Sequence, residues 1–159
     1  MKYYEFLHIA GLFIDRLHVK PLLFGSLGLE IRLGVSLNAD DIDILIPKRY
    51  LYAVWSKVMD LMIADGYALS NAEEHEFVKG SIRVAYAAIE DLKPFAGVDI
   101  TSIPEVRDDG VIYLLLELPE YLKVYEASSK DGYRRDVKNK QDQKKIELIQ
   151  RAMNNDQKM

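Results

Sequence analysis

Cysteine is absent from this chain of 159 residues, which excludes both a disulfide framework and a thiolate zinc site. The absence suits a reducing compartment. No apolar run approaches the roughly 18–20 residues needed to cross a bilayer. Nor does Met1 to Leu7 have the basic-then-apolar order of an export signal, so a cytoplasmic protein without a membrane partner is expected. Histidine is scarce, and His8, His18 and His75 lack the spacing of metal ligands. Internal repeats and low-complexity tracts are missing. The glycines at Gly25 and Gly28 form neither a dinucleotide fingerprint nor a P-loop, because the glycine spacing and the Gly-Lys-Ser/Thr are lacking.

What is present is the composition of a folded domain, 49% hydrophobic and 29% charged, with nine Gly and five Pro. The length allows one substantial core. A single domain over 1–153 is expected, with a sheet-containing core over about 1–118, C-terminal helices over 119–153 and a disordered tail at 154–159. The net charge of −4 conceals a segregation. Lys130 to Lys145 holds seven Lys or Arg against three Asp, a local +4, which leaves −8 on the rest. Such a segment suits an anionic ligand, though a solvated helix of mixed charge has the same composition.

Hydrophobic periodicity gives the order of elements. Phe6, Ile9, Phe13 and Leu17 recur at helical steps over 3–18. Leu22 to Phe24 is a short buried strand that stops at Gly25-Ser26, and Leu27 to Leu33 is a helix ended by Gly34. Asp41 to Ile46 is a strand closed by Pro47, and 48–65 is the clearest helix, with Leu51, Trp55, Val58 and Met62 on one side. Strands follow at 67–70, 75–79 and 81–88, the last two a hairpin around Gly80. Val98 to Ile100 and 111–116 are further strands, and 119–128 and 138–153 are helices. Glu73, Glu74 and Glu76 read as a solvated loop, and Tyr121, Tyr125 and Tyr133 as packing residues able to stack a nucleobase. This is a mixed α/β sheet flanked by helices, with a helical C-terminal segment.

Asp41 and Asp43, two apart on a strand, point to the same side, while Ile42 and Ile44 point into a core. Paired carboxylates repel unless something positive lies between them, and all-oxygen ligands favour Mg²⁺ or Mn²⁺. An Asp-x-Asp on an exposed strand end is the plain alternative. Upstream, a small-residue turn at a helix N-terminus offers backbone N–H groups to phosphate, although such a junction also needs Gly for steric reasons alone. Downstream, Asp99 sits among apolar residues and is costly to bury unpaired. Asp40 is a spare acid beside the pair.

Leu23-Phe24-Gly25-Ser26-Leu27-Gly28-Leu29-Glu30-Ile31-Arg32-Leu33-Gly34, followed by Asp41-Ile42-Asp43-Ile44 and then Asp99, resembles the nucleotidyltransferase superfamily related to DNA polymerase β. Within it the chain looks most like the abortive-infection toxin type, where an Arg-Leu-Gly ending commonly precedes the Asp-hydrophobic-Asp strand. Arg134, Arg135, Lys140 and Asp142, ahead of Ile146, resemble that group's basic-acidic helix facing the site. Two departures stand out: fourteen residues separate Ser26 from Asp41, and Gln141 interrupts the C-terminal motif.

The resemblance implies that Gly25 and Ser26 hold the β- and γ-phosphates of a nucleoside triphosphate. It implies that Asp41 and Asp43 bind Mg²⁺ or Mn²⁺, and that Asp99 completes the metal site and accepts a proton. Arg134 or Lys140 neutralises phosphate. The implied reaction is transfer of a nucleoside monophosphate to a hydroxyl on a protein, a tRNA or a small molecule by a two-metal mechanism. A non-catalytic nucleotide-binding or antitoxin-like relative is the alternative. A haloacid-dehalogenase-like phosphatase is a third, disfavoured reading, because its apolar strand precedes the first Asp, whereas here it follows Asp41.

Overall fold

The computed structural model describes residues 2–130 and 139–157. Two compact units are present, one formed by Met1–Glu90 with Pro104–Leu115, the other by Asp91–Ile103 with Leu116–Met159. The second unit thus draws in a mid-chain segment that the sequence reading leaves with the sheet.

In the first unit, α1 (Lys2–Leu17) precedes β1 (Leu22–Phe24), α2 (Gly25–Leu33) and β2 (Ile42–Ile46). A 3₁₀ turn at Lys48–Leu51 leads to α3 (Trp55–Ala64), then β3 (Ala68–Asn71), β4 (Glu76–Lys79) and β5 (Ile82–Ala88). After the excursion into the second unit come β6 (Glu105–Asp108) and β7 (Val111–Leu115). Among the described residues, seven strands form one sheet in the order β3-β4-β5-β2-β1-β7-β6. β5–β2 and β1–β7 are parallel; β3–β4, β4–β5, β2–β1 and β7–β6 are antiparallel.

Burial explains the arrangement. Ile42, Ile44 and Ile46 of β2 are fully buried, as are Leu22 and Leu23 of β1. Phe6, Ile9 and Phe13 supply the apolar stripe of α1, and Phe6 meets Tyr113 of β7 edge to face at 5.0 Å. Each such side chain contributes about 1.5–3 kcal/mol on leaving water.

β6 is absent from the sequence reading although Asp109-Gly110, both at positive φ, marks the hairpin that joins it to β7. The segment 48–65 is not one helix: a 3₁₀ turn takes Lys48–Leu51, and the α-helix begins only at Trp55. Glu76, expected in a solvated loop, opens β4 opposite Ala85, because the apolar Phe77 that follows it is fully buried.

The second unit contains α4 (Leu92–Ala96), a 3₁₀ turn at Ile100–Ser102, α5 (Leu118–Lys130) and α6 (Asn139–Gln157). Tyr121, Val124, Tyr125 and Ser128 form the buried side of α5, and Asp142, Ile146 and Ile149 that of α6. Packing rather than nucleobase stacking therefore employs Tyr121 and Tyr125, while Tyr133 lies outside the described residues. α6 also continues to Gln157, where a disordered tail was expected from residue 154, since neither Gly nor Pro interrupts it. Val98–Ile100 is not a strand: Gly97, in the left-handed conformation, ends α4, and Asp99 then caps the 3₁₀ turn. Among the described residues, no helix is long and apolar enough to cross a membrane.

Candidate functional site

β1 ends against the start of β2, with Phe24 in register with Asp43. The next residue, Gly25, has φ +62° and opens α2. A Cβ there would lie 2.3 Å from Asp43 Oδ2 and 3.1 Å from its Cγ. Glycine is thus required twice, once by its dihedral and once by the carboxylate lying against it. Phe24, the N-cap residue of α2, stands in an extended conformation and supplies no side-chain cap. The N-terminal backbone groups and positive dipole end of the helix lie beside the Asp43 side chain. Ser26, half-buried, is the following residue.

Asp41 immediately precedes β2 and Asp43 lies within it. The fully buried Ile42 and Ile44 leave Asp41 and Asp43 to the opposite side, as the alternation predicts. Asp41 is about half exposed and forms an ion pair with Arg83 of β5, 3.8 Å from Oδ1 to Nε. Asp40 is exposed.

The loop that delivers Asp41 is fixed from α2. Gly34 terminates the helix at φ +74°, its N–H donating to Glu30 O at 2.8 Å. The Glu30 carboxylate then accepts from the N–H groups of Leu37 and Ala39, both at 2.9 Å. This accounts for the long spacing between Ser26 and Asp41: the loop is ordered by a carboxylate bound to its backbone. Sequence reading missed Glu30 and Arg83. Arg83 interrupts the apolar residues of its strand, a visible signal, but its pairing with Asp41 depends on which strand adjoins β2.

Asp99 belongs to the other unit and is exposed. Its Oδ1 accepts from the Thr101 hydroxyl at 2.7 Å and the Thr101 N–H at 2.9 Å, and these bonds hold its carboxyl below the usual aspartate range. It caps a turn and is not borne on a strand. Among the described residues, no group of three or more His, Asp or Glu is placed to hold a metal ion. Arg134 lies outside the described residues, Lys140 falls in the first turn of α6, and its side chain is likewise outside them. Asp142, expected to face the site, is instead fully buried and accepts from Ser128 Oγ at 3.0 Å between α5 and α6.

The donor set suits Mg²⁺ in one particular way. With no third carboxylate grouped with them among the described residues, Asp41 and Asp43 would suit an ion that keeps water and shares substrate phosphates, not one caged by protein alone.

No family model matches the chain. Among solved structures, it superposes on ANT(2")-Ia, crystallised with adenylyl-2"-tobramycin, with a TM-score of 0.59 and 13% identity. That match covers 96% of this chain and 90% of that one. An antigenic nucleotidyltransferase-like protein from Paracoccidioides brasiliensis matches with a TM-score of 0.59 and 11% identity, over 91% of this chain and 73% of that one. The fold is therefore that of the nucleotidyltransferases. The uncharacterized protein YnaI of Bacillus subtilis (strain 168) is 43% identical over 153 residues, spanning 96% of this chain and 98% of that protein. With that identity over nearly the whole of both chains, the chain belongs to the YnaI family.

Proposed function

We propose that this chain is a nucleotidyltransferase that moves a nucleoside monophosphate from a nucleoside triphosphate to a hydroxyl acceptor. The observation that carries the reading is the contact between Gly25 and Asp43, which sets a helix N-terminus and an acidic strand within one side chain of each other. A positive backbone end and a carboxylate side by side suit a phosphate bound together with a cation. Gly25 and Ser26 bind the triphosphate, and Asp41 and Asp43 hold Mg²⁺ or Mn²⁺ with it. When bound, that ion supplies charge neutralisation on the phosphates and stabilises the departing pyrophosphate. The chain's own part is orientation: β2 fixes the carboxylates, and the α2 N-terminus aligns the phosphate oxygens toward them.

Asp99 takes no metal-ligand role in this proposal, because among the described residues it forms no metal-holding group with Asp41 and Asp43. Arg134 and Lys140 remain the proposed additional phosphate cations. A small-molecule hydroxyl is the favoured acceptor class, by analogy with the adenylylated tobramycin bound to ANT(2")-Ia. The abortive-infection toxin type, with a macromolecular acceptor, is the variant favoured by the Arg32-Leu33-Gly34 ending and the basic segment. One observation favours a second, non-catalytic reading. β5, the parallel neighbour of β2, carries no Asp or Glu, and Arg83 stands there beside Asp41.

Calorimetric titration with Mg²⁺ and each NTP tests the reading. Wild type is expected to bind at least one NTP in a metal-dependent way. Asp41→Asn and Asp43→Asn are each expected to weaken that binding at least tenfold, about 1.4 kcal/mol. Undiminished binding in both variants sinks the proposal. Incubation with α-labelled NTP and candidate acceptors then separates catalysis from binding alone.

A further inference from the structure

Asp41 has a built-in cation. Because β2 and β5 run parallel with Ile42 beside Val84 and Asp43 beside Ala85, the residue in step with Asp41 is Arg83. On β4, Glu76 is opposite Ala85 and Val78 opposite Arg83. Directly paired residues share a side of the sheet, so Asp43, Ala85 and Glu76 form one row across three strands, with Arg83 alongside. The Arg83 guanidinium spans this arrangement. Its Nε lies 3.8 Å from Asp41 Oδ1, and its Nη1 lies 3.2 Å from Glu76 Oε1. Glu76 Oε1 also accepts from Ser70 Oγ of β3 at 3.1 Å.

The two ends of this bridge differ. Glu76 is 18% exposed and held from two sides, whereas Asp41 is 46% exposed and sits at the longer distance. The Glu76 end is the anchor and the Asp41 end is the one that opens. An exposed ion pair at this separation is weak, so a divalent ion arriving with phosphate can displace it. Arginine cannot be deprotonated, and its planar fork matches phosphate in a bidentate way.

We propose that Arg83 is a substrate-binding residue that neutralises Asp41 before substrate binds and, still tethered to Glu76, turns to the substrate phosphates when a divalent ion takes Asp41. This rests on the nucleotide–metal reading of the same site. A carboxylate already paired with arginine is a poor ligand for bare metal. The nucleotide–metal complex therefore binds as a unit, and metal alone binds poorly.

The test is Mn²⁺ binding followed by the electron paramagnetic resonance of free Mn²⁺, alone and with the α,β-methylene analogues of the four ribonucleoside triphosphates. Wild type, Arg83→Gln and Arg83→Lys are compared after their thermal melts confirm folding. Arg83→Gln is expected to tighten bare Mn²⁺ about threefold, the scale of losing one exposed pair. It is expected to weaken the nucleotide–Mn²⁺ complex about tenfold, as a charge-assisted phosphate contact goes. Arg83→Lys keeps the charge without the fork and is expected to leave bare Mn²⁺ near wild type while weakening the complex less. A role confined to holding β4 and β5 together moves both affinities in the same direction, and that result overturns the proposal. So does an Arg83→Gln protein indistinguishable from wild type while wild type binds the complex. Failure of wild type to bind any nucleotide–Mn²⁺ complex overturns the site reading itself.

Discussion

Gly25 meets two demands at one residue, a left-handed backbone and a carboxylate at the position a methyl would take. Gly25→Ala is expected to lose about 1–2 kcal/mol of stability from the dihedral alone. The added methyl also displaces Asp43, so nucleotide–metal affinity falls by more than the stability loss accounts for. Paired denaturation and titration experiments separate the two. Asp99 behaves differently. Asp99→Ala removes a turn cap, so a lowered melting temperature near neutral pH is expected, with nucleotide–metal binding retained. Its carboxyl titrates below the ordinary value of 3.8, so the stabilisation is complete above that value and fades as pH falls through the lowered one. The melting difference between wild type and Asp99→Ala therefore shrinks in acid. Loss of nucleotide–metal binding in this variant would instead return Asp99 to the role its resemblance implies. The Gly25-Ser26 turn, Asp43 within β2 and Asp41 just before it are legible in the sequence, because glycine and a period-two Asp carry local signals. Arg83 is not, since its importance comes from Asp41, a neighbour distant along the chain.

At the level of elements, the loop between α2 and β2 depends on one side chain. Glu30 accepts two backbone N–H groups at 2.9 Å each. Glu30→Ala orphans both donors and is expected to cost about 1.5–3 kcal/mol in urea denaturation. It also weakens nucleotide–metal binding by loosening the approach to Asp41. β2 is the other dependence. Ile44 is fully buried, in register with Leu23 on one flank and Tyr86 on the other. Ile44→Ala is expected to cost about 2–5 kcal/mol, read from the denaturation midpoint at unchanged slope. The longer helices and inner strands are readable because periodicity is local, whereas the five-residue α4 is too short to show it. The Val98–Ile100 segment misled because three residues with two apolar members satisfy a strand pattern equally well as a capped turn. β6, with Glu105, Arg107 and Asp108 on it, has little apolar signal. It forms because β7 lies beside it to receive its hydrogen bonds.

For the whole molecule, a ligand that binds only the folded state raises its stability. Mg²⁺ with a bound NTP at a hundred times its dissociation constant is expected to add about 2.7 kcal/mol, seen as a rise in melting temperature that Asp43→Asn abolishes. The division into units carries its own consequence. Asp91–Ile103 belongs with α5 and α6 rather than with the sheet, and α4 packs on α5. A chain ended after Leu115 therefore leaves Leu92 of α4 without its α5 neighbours. Such a fragment is expected to bind a hydrophobic dye and to run as aggregate on size exclusion, where the full chain does not.

Composition, periodicity and small-residue turns determine, within the sequence itself, a mixed α/β sheet, a glycine turn opening a helix, and two acids on one side of a strand. These follow from interactions within a few residues: dihedral limits, side-chain alternation and caps. Tertiary structure alone decided that Asp43 lies against Gly25, that Arg83 adjoins Asp41, that Asp142 is buried against Ser128, and that Asp99 caps a turn. Each of these is a matter of which strand or helix stands beside which, and that is settled by the burial of apolar surface over the whole chain rather than by any local motif.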